Sequence, residues 1–267
     1  MQPDDSPDTP SSSRGVADVD FVMPVYNEGA NITRALEEID RLVPLPKRIL
    51  IVYDFDEDDT VPVAQALAPR YPFVELVKNS QGRGVLNAIR TGISATTADV
   101  VIVTMADLSD DIAIVPEMVR LIRDDGYDVV CASRYMRGGQ QIGGPRLKGL
   151  LSRTAGLTLF WLGALPTHDA TNAFRAYRRS VLAETPITSQ GGFAYSLEIT
   201  AKAHAAGRRI TEVPSTWRDR SAGQSRFQLR RWLPHYLRWY AYALTHRPRR
   251  PQPPSSSQPT NPNMHSQ

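Results

Sequence analysis

Acidic residues follow a short apolar run in the middle of the chain, where their carboxylates could bind a cation. Every residue in Val100–Val103 is β-branched, and Asp107, Ser109, Asp110 and Asp111 come shortly after this run. A continuous apolar run is typical of a buried parallel strand, and open α/β sheets bind ligands at the carboxyl ends of their strands. Clustered carboxylates repel one another unless a cation compensates them, so the pattern indicates a divalent metal that carries a phosphorylated ligand. A helix cap formed by Ser109 or Asp110 is the alternative interpretation.

A second apolar run, RILIVY at positions 48–53, also ends in acids, beginning with Asp54. Further along, Gly82-Arg83-Gly84 forms a short glycine turn ahead of a helical pattern. Two strands that are each followed by acidic residues, together with a glycine turn, would meet at one edge of the sheet. There they could hold a nucleoside diphosphate through carboxylates, a metal ion and backbone NH groups. The glycine turn alone is a weak signal, because such turns are common and no Gly-x-Gly-x-x-Gly follows the first strand.

The elements that must position these residues alternate regularly along the first half of the chain. Strands are predicted at Val19–Val25, Arg48–Tyr53, Phe73–Val77, from Val100 onward and at Tyr127–Ser133, with helices of suitable apolar spacing between them, including one over Val61–Tyr71. Parallel neighbours require crossover helices, so the pattern predicts an α/β fold with a doubly wound, mostly parallel sheet.

The second half of the chain is less regular. Arg134–Arg146 is a glycine-rich, basic loop and a candidate lid, Leu147–Leu165 is predicted to be a helix, and Phe174–Tyr177 an antiparallel strand. A helix over Phe193–Ala206 carries Glu198 among apolar neighbours. This acid would either form a buried pair with an arginine such as Arg175 or act as a base.

The composition indicates one cytosolic domain with polar tails. The 267 residues are 41% hydrophobic, which is enough for a substantial core, whereas residues 1–18 and 248–267 are rich in polar residues and proline and are predicted to be disordered. The single cysteine, Cys131, excludes disulfides and cysteine-based metal sites within one chain. The chain has no apolar run of bilayer-spanning length and no signal pattern at its N-terminus, so a cytoplasmic location is expected.

Several longer motifs occur in order through most of the chain. They are MPVYNEGANI at 23–32, the acidic turn at 54–60, GRGVLNAIRTGI at 82–93, MADLSDD at 105–111, ASRYMRGG at 132–139, LSRTAG at 151–156, NAFRAYRRSVL at 172–182, GGFAYSLEI at 191–199 and EVPSTWRDRSAGQSR at 212–226. With these motifs the chain resembles the inverting family 2 glycosyltransferases from about Val19 to Arg226, specifically the branch of dolichyl-phosphate and polyprenyl-phosphate mannose and glucose synthases. The resemblance implies the GT-A fold with a smaller acceptor-side region.

The resemblance also implies roles for individual residues. The base and ribose of the donor would be held by Pro24, Tyr26, Glu28 and Asp54, with Gly82 and Arg83 beside them. Asp107 would bind Mg²⁺ or Mn²⁺, alone or with Ser109, Asp110, Asp111 or water, and the metal would neutralise the departing diphosphate. The lipid phosphate or the diphosphate would be contacted by Arg134, Arg153, Arg220 and Arg226, since arginine suits bidentate phosphate contacts.

Asp107, Arg134 and Asp169 are the candidate catalytic residues. Asp169 or His168 would orient the acceptor, and structural capping is the alternative role. The chain departs from the family pattern at Met105, where members usually carry the first Asp of Asp-x-Asp. Weaker metal affinity is the resulting hypothesis. Tyr53 and Phe55 also replace the usual Asp and Gly of the acidic turn.

The expected reaction moves a hexose from a GDP- or UDP-sugar to a dolichyl- or polyprenyl-phosphate acceptor. A soluble acceptor and a non-enzymatic nucleotide-binding role are the alternatives. Nine of the arginines lie between Arg218 and Arg250, against one acid, Asp219. The expected domain organisation is therefore a catalytic domain over 19–226 and a basic, aromatic, amphipathic helix over 227–247. This helix would lie on the inner face of an anionic membrane or pack against the core, and no nucleic-acid partner is expected.

Overall fold

The computed structural model describes residues 17–219, 229–246 and 248. Nine strands are present in this part of the chain: β1 Val19–Pro24, β2 Lys47–Tyr53, β3 Val74–Lys78, β4 Val100–Val103, β5 Val129–Ser133, β6 Gln140–Ile142, β7 Arg175–Arg178, β8 Ile210–Pro214 and β9 Thr216–Arg218. The α-helices of the same residues are α1 Gly29–Leu42, α2 Thr60–Leu67, α3 Val85–Ser94, α4 Val115–Arg123, α5 Arg146–Trp161, α6 Arg179–Glu184, α7 Ala194–Ala205 and α8 Leu229–Thr245.

Seven of the strands form one twisted central sheet in the order β3-β2-β1-β4-β7-β5-β8. Strand β7 runs antiparallel to both of its neighbours, β4 and β5, and the other pairings in this sheet are parallel. The predicted α/β class with a doubly wound, mostly parallel sheet is confirmed, and so is an antiparallel strand close to Phe174–Tyr177.

Alternating side chains place apolar residues on both faces of this sheet. Phe21 and Met23 of β1 contribute to one core cluster together with α1 and α4, whereas Val22 between them belongs to a second cluster with α3 and α7. Residues of a strand point alternately to opposite faces, so the apolar segment Phe21–Met23 contributes to both cores. Gly92 of α3 lies so close to this sheet that an added Cβ would stand 2.4 Å from the Val22 side chain.

Three local predictions differ from the structure. Helix α2 ends at Leu67, before the predicted Tyr71, because Pro69 has no amide hydrogen to donate to the helix. Helix α5 ends at Trp161, before the predicted Leu165, and Gly163 follows with a φ of 66°. The predicted loop at 134–146 contains strand β6, which pairs with β9 in a separate parallel two-stranded sheet.

The C-terminal helix α8 packs its aromatic residues against the body of the protein. Trp239 and Ala243 are buried in a third apolar cluster with residues of α5 and α7, and the Trp239 indole donates a hydrogen bond to Ser189 Oγ at 2.8 Å. These contacts favour the packing interpretation for the aromatic side of the helix. The predicted division at 226/227 lies outside the described residues and stays a prediction. The same holds for residues 1–16 and 249–267 of the predicted tails 1–18 and 248–267.

Candidate active site

The carboxyl ends of β1, β2 and β4 open into one cavity of about 1160 Å³. Most of the ligand residues predicted from the sequence line it, namely Pro24, Tyr26, Glu28, Asp54, Arg83, Asp107, Ser109, Asp110 and Arg134. Gly82, Arg153 and Asp169 are not part of its lining. Arg220 and Arg226 lie outside the described residues.

The turn after β1 is fixed by two acids of the acidic turn at 54–60. Asn27 has a φ of 54°, a left-handed conformation that asparagine tolerates better than most residues. Its amide donates to Asp58 Oδ2 at 3.0 Å, and the Gly29 amide donates to Asp59 Oδ1 at 2.8 Å. These two carboxylates therefore hold the turn that places Tyr26 at the cavity, which is a structural role.

Asp54 has a similar bridging role at the end of β2. Its carboxylate accepts hydrogen bonds from Asn79 Nδ2 at 2.7 Å and from the Gly84 amide at 2.8 Å. The Asn79 amide also donates to the Gly82 carbonyl at 2.7 Å. Gly82 and Gly84 have φ values of 88° and 123°, which favour glycine at both positions. Asp54 thus ties the glycine turn to the sheet edge while it lines the cavity.

Phe55 is a candidate nucleotide-site residue that the sequence did not indicate. Its ring meets Tyr26 edge to face with 5.5 Å between the centroids. The Arg83 guanidinium lies 5.0 Å from the same ring centroid. Tyr26 and Arg83 line the cavity, and Phe55, which lies outside the lining, packs against both of them. The signal available in the sequence was the departure from the family's usual glycine at this position.

The acidic segment after β4 folds back so that its side chains share one corner of the cavity. Asp107 is almost fully buried and accepts a hydrogen bond from the Ser109 amide at 3.1 Å. Leu108 between them has a φ of 61°, which costs on the order of 1–2 kcal/mol for a residue with a Cβ. Asp110 accepts a hydrogen bond from the Thr104 hydroxyl at 3.1 Å. Burial, together with the nearby Asp107 carboxylate, raises the pKa of Asp110 to about 7.

Neither Ser109 nor Asp110 caps a helix. The short 3₁₀ turn Ile112–Ile114 has Asp111 at its N-cap and α4 has Ile114, without a side-chain capping bond in either case. The corner therefore holds the neighbouring carboxylates of Asp107 and Asp110 without using either of them as a helix cap. Across the described residues, no group of three or more His, Cys, Asp or Glu side chains is arranged to hold a metal ion. Two carboxylates nevertheless suit Mg²⁺, which takes its remaining ligands from phosphates and water.

Arg134 enters the cavity from the end of β5 and is held by Asp169. Its Nε and Nη2 atoms lie 2.6 Å and 2.9 Å from the two carboxylate oxygens, and its own amide donates to Oδ2 at 3.1 Å. Nη2 also donates to Ser152 and Thr171. Burial acts to raise the pKa of Asp169, but the charge of Arg134 and its hydrogen bonds outweigh burial and lower it. Asp169 is fully buried and therefore acts on the cavity through Arg134.

The polar turn that carries Asp169 is anchored from β8. Glu212 accepts hydrogen bonds from the Thr167 hydroxyl at 3.0 Å and from the His168 amide at 2.8 Å, and it also contacts the imidazole Nδ1. The His168 ring stacks on Phe160 at 3.7 Å. His168 is not in the cavity lining, so the geometry supports a structural role for this side chain.

Glu198 does not pair with Arg175. Its carboxylate lies 2.6 Å from Lys202 Nζ and accepts hydrogen bonds from the Thr188 and Ser189 amides at 2.6 Å and 2.8 Å. Arg175 is fully buried and donates to the carbonyl oxygens of other residues. The interpretation of a pair with Arg175 is wrong because α7 directs the acid toward its own i+4 lysine. Glu198 is absent from the cavity lining, which leaves the base role without structural support.

The far end of the cavity, between α5, α7 and α8, is apolar. Its walls are formed by Leu151, Ala155, Leu159, Phe193, Leu197, Trp232, Leu233, Tyr236, Leu237 and Tyr240. Lys148, which the sequence did not single out, also lines the cavity from the first turn of α5, whereas Arg153 on the same helix is exposed outside it. One continuous space therefore connects an acidic corner, a fixed guanidinium and an apolar end.

A family profile described as Glycosyl transferase family 2 matches residues 20–185. The chain belongs to glycosyltransferase family 2. The family resemblance seen in the sequence is thereby confirmed, and the protein is a glycosyltransferase.

Three relatives of this family 2 glycosyltransferase carry names from the branch indicated by the sequence. It is 29% identical to Dolichol-phosphate mannosyltransferase of Pyrococcus furiosus over 79% of its own length, and it spans 59% of that protein. It is 32% identical to Dolichyl-phosphate hexose transferase of Haloferax volcanii, covering 78% of this chain and 86% of the relative. It is 28% identical to Polyprenol monophosphomannose synthase of Mycolicibacterium smegmatis, covering 77% and 79%.

A solved structure confirms the GT-A fold expected of the family. Glucosyl-3-phosphoglycerate synthase of Mycobacterium tuberculosis, crystallised with Mn²⁺, UDP and glucosyl-3-phosphoglycerate, superposes with a TM-score of 0.62 at 20% identity. The match covers 86% of this chain and 80% of that one. No helix within the described part of this family 2 chain is long and apolar enough to cross a membrane.

Proposed function

We propose that this glycosyltransferase moves a hexose, with inversion, from a nucleoside-diphosphate sugar to a polyprenyl- or dolichyl-phosphate acceptor. The observation that carries the proposal is the single cavity, which joins nucleotide-type contacts to an apolar end through Asp107 and Arg134. The three named relatives support the same acceptor class. An apolar wall suits a prenyl chain and gives a small polar acceptor little to bind.

The donor would occupy the end of the cavity formed by β1, β2 and the glycine turn. We assign its base and ribose to the surface around Tyr26, Phe55 and Arg83, where an aromatic platform and a guanidinium are already in contact. Asp107 and Asp110 would hold Mg²⁺ or Mn²⁺, which when bound neutralises the negative charge of the departing diphosphate. GDP and UDP are both compatible with these contacts.

Arg134 would position the acceptor phosphate. Nε and Nη2 donate to Asp169, so we assign the phosphate contact to Nη1. The acceptor oxygen is already an anion, and it needs positioning more than it needs a base. Because Asp169 prevents rotation of the guanidinium, its contribution to the reaction is to keep this donor aimed at the cavity. Lys148 lies close enough to the same space to be a second phosphate contact.

Transfer in detergent tests the proposal directly. The purified chain is mixed with a polyprenyl phosphate in micelles, with Mg²⁺ or Mn²⁺ and a panel of GDP- and UDP-hexoses, and the sugar in the lipid fraction is measured. We expect transfer from one donor class and loss of transfer on Asp107→Asn and Arg134→Lys. Asp56→Asn is the matched control, because that exposed acid lies outside the cavity.

Two results would reject the acceptor class. One is the absence of sugar in the lipid fraction with every donor. The other is detergent-free turnover on a water-soluble phosphate acceptor, which would favour the soluble-acceptor alternative within the same family.

A further inference from the structure

Arg175 is a fully buried arginine that does not line the cavity. It lies in β7, the antiparallel strand between β4 and β5. Its Nη1 atom donates to the Ser196 carbonyl oxygen at 2.8 Å and to the Thr200 hydroxyl group. Its Nη2 atom donates to the backbone carbonyl oxygen of Asp169 at 3.0 Å. All these acceptors are neutral oxygens, so within the described part of the chain the guanidinium is held by hydrogen bonds and not by an ion pair.

The side chains around Arg175 leave Asp169 as its main source of negative charge. Cys131 lies opposite Arg175 on β5, and Tyr177 shares its face of β7. Tyr195 of α7 is a third neighbour that acts on its charge. Burial raises the pKa of Cys131, Tyr177 and Tyr195, so all three stay neutral at physiological pH. Asp169 is therefore the only charged side chain among the described groups that act most strongly on Arg175.

Packing alone does not account for an arginine at this position. Moving its charge out of water is unfavourable, and apolar residues of similar volume often replace buried charges without loss of stability. The Nε atom of Arg175 and the hydroxyl groups of Tyr177 and Tyr195 also have no hydrogen-bond partner within the described residues. An unpaired buried donor adds to the cost of burial. The reason for an arginine therefore lies in what its two Nη atoms hold.

These two atoms connect the start of α7 to the polar turn that carries Asp169. Nη1 of Arg175 binds Ser196 in the first turn of α7, and Nη2 binds the Asp169 backbone. The Asp169 carboxylate in turn holds the Nε atom of Arg134 at 2.6 Å and its Nη2 atom at 2.9 Å. The charge of Arg175 also acts to lower the pKa of Asp169, in the same direction as the charge of Arg134. Arg175 thus fixes the backbone of Asp169 and helps to keep its carboxylate ionised.

We propose that Arg175 is a positioning residue for the acceptor end of the site. It holds the turn that carries Asp169 against α7, so that the Asp169 carboxylate keeps the Arg134 guanidinium aimed at the cavity. Because Arg175 does not line the cavity, it acts on the site through Asp169. The phosphate contact of Arg134 rests on the proposed function. The connection from Arg175 to Arg134 does not, so it is testable without any substrate.

Nuclear magnetic resonance of the ¹⁵N-labelled full chain tests this connection directly. The Nε–H group of Arg134 should give a distinct, slowly exchanging signal, because it donates to a buried carboxylate at 2.6 Å. Arg134→Lys identifies this signal by removing it. Arg175→Met should remove most of its intensity, since the turn that carries Asp169 loses its support.

Arg178→Met is the matched control. Arg178 lies on the same strand and also donates to backbone carbonyl oxygens, including that of Tyr127 at 3.1 Å. It pairs in register with Val100, at the start of β4, whereas Arg175 pairs with Val103 at its end, so Arg178 lies at the end of β7 away from the cavity. The Arg134 signal should be unchanged in this variant.

Turnover per folded molecule tests the consequence for the reaction. Arg175→Met should lower kcat by roughly ten- to a hundredfold, because the guanidinium of Arg134 is no longer held in place. Adding Arg175→Met to Asp169→Asn should lower turnover no further, since both substitutions act on Arg134 through the same carboxylate, whereas independent effects would multiply. Arg175→Lys keeps the charge but not the fork that reaches both carbonyl oxygens, so its losses should be smaller. Binding of UDP and GDP with Mn²⁺, measured by calorimetry, should be unchanged, because Arg175 does not line the cavity.

Four results would overturn the proposal. They are an unchanged Arg134 signal in Arg175→Met, an equal loss of that signal in Arg178→Met, multiplied losses of turnover in the double variant, and wild-type signal and turnover in Arg175→Lys. The lysine variant keeps the charge and decides the question if the methionine variant does not fold. A wild type that transfers no sugar to lipid phosphate would contradict the proposed function alone, because the Arg134 signal still reports the role of Arg175. Normal transfer by the wild type, with an unchanged Arg134 signal in Arg175→Met, would contradict the positioning role alone.

Discussion

Replacing Asp169 by asparagine should destabilise the protein and reduce its activity together. The substitution keeps the shape of the side chain but removes the negative charge that faces Arg134 Nε at 2.6 Å and Nη2 at 2.9 Å. Breaking a buried ion pair costs about 3–5 kcal/mol, because the remaining charge is left without a partner. Arg134 lines the cavity and its side chain is 10% exposed, so water can reach it in part. We therefore expect a loss near the lower limit, about 3 kcal/mol.

Urea unfolding followed by circular dichroism measures this loss as a lower midpoint with an unchanged slope. The same change would lower Tm by roughly 6–12 °C in a chain of this size. Turnover should fall on the order of a hundredfold, since a guanidinium that is free to rotate no longer aims at the acceptor phosphate. Asp56→Asn is the matched control, because Asp56 pairs with Lys78 at 2.5 Å but both side chains are exposed, and its midpoint should not change.

The contribution of Asp169 to the free energy of unfolding should depend on pH. The pKa of Asp169 is lower in the folded protein, where Arg134 outweighs burial, so the carboxylate stabilises the fold above the pKa of the unfolded chain, about 4. This stability is lost as the pH falls through the folded pKa. The difference between wild type and Asp169→Asn should be complete at neutral pH and should shrink in acid. Equal unfolding midpoints at neutral pH, or normal turnover in the variant, would refute the reasoning.

Three further substitutions test other parts of the structure. Met105→Asp should bind Mn²⁺ about tenfold more tightly in calorimetry because it adds a carboxylate to the corner of the cavity, and unchanged affinity would contradict the weak-site hypothesis. Glu198→Gln should lower the free energy of unfolding by about 2 kcal/mol with normal turnover per folded molecule, and a selective loss of turnover would instead support a base role. Gly92→Ala should cost about 1–3 kcal/mol in urea unfolding, since its Cβ would lie 2.4 Å from Val22, whereas Gly149→Ala meets a flexible side chain and should be tolerated.

Most of the fold was predictable from local patterns in the sequence. The continuous apolar run Val100–Val103 records burial on both faces of a sheet, and the apolar spacing in α1 records burial of one helix face at a period of 3.6 residues. Both patterns depend only on neighbours in the chain. The ordered motifs predicted the family. The positions where the apolar runs end predicted that Asp107 lies at the carboxyl edge of the sheet. The ends of α2 and α5 were misplaced by a few residues, although Pro69 and Gly163 were visible in the sequence.

The partners of charged residues were less predictable, because a carboxylate can reach any cation that the fold brings near it. The acids at 58 and 59 belonged to one acidic turn in the sequence, but they bind backbone amides of the β1–α1 turn. Glu198 forms an ion pair with Lys202 on its own helix, whereas Asp169 forms one with Arg134, 35 positions away in the sequence. Distances through space decide such pairs, and these distances are fixed only after the sheet and its helices have packed.

The sequence by itself determined the family, the strand that delivers Asp107 to the sheet edge, and the departure at Met105. Each of these three features depends only on the types of residues and their order within one segment of the chain. Only the tertiary structure decided that the acidic corner, Arg134 and an apolar space share one cavity, and that helix α5 exposes an apolar stripe that includes Leu147 and Leu150 to solvent. A stripe on a helix has the same spacing whether it faces the core or the solvent, so its direction depends on what packs against the opposite face.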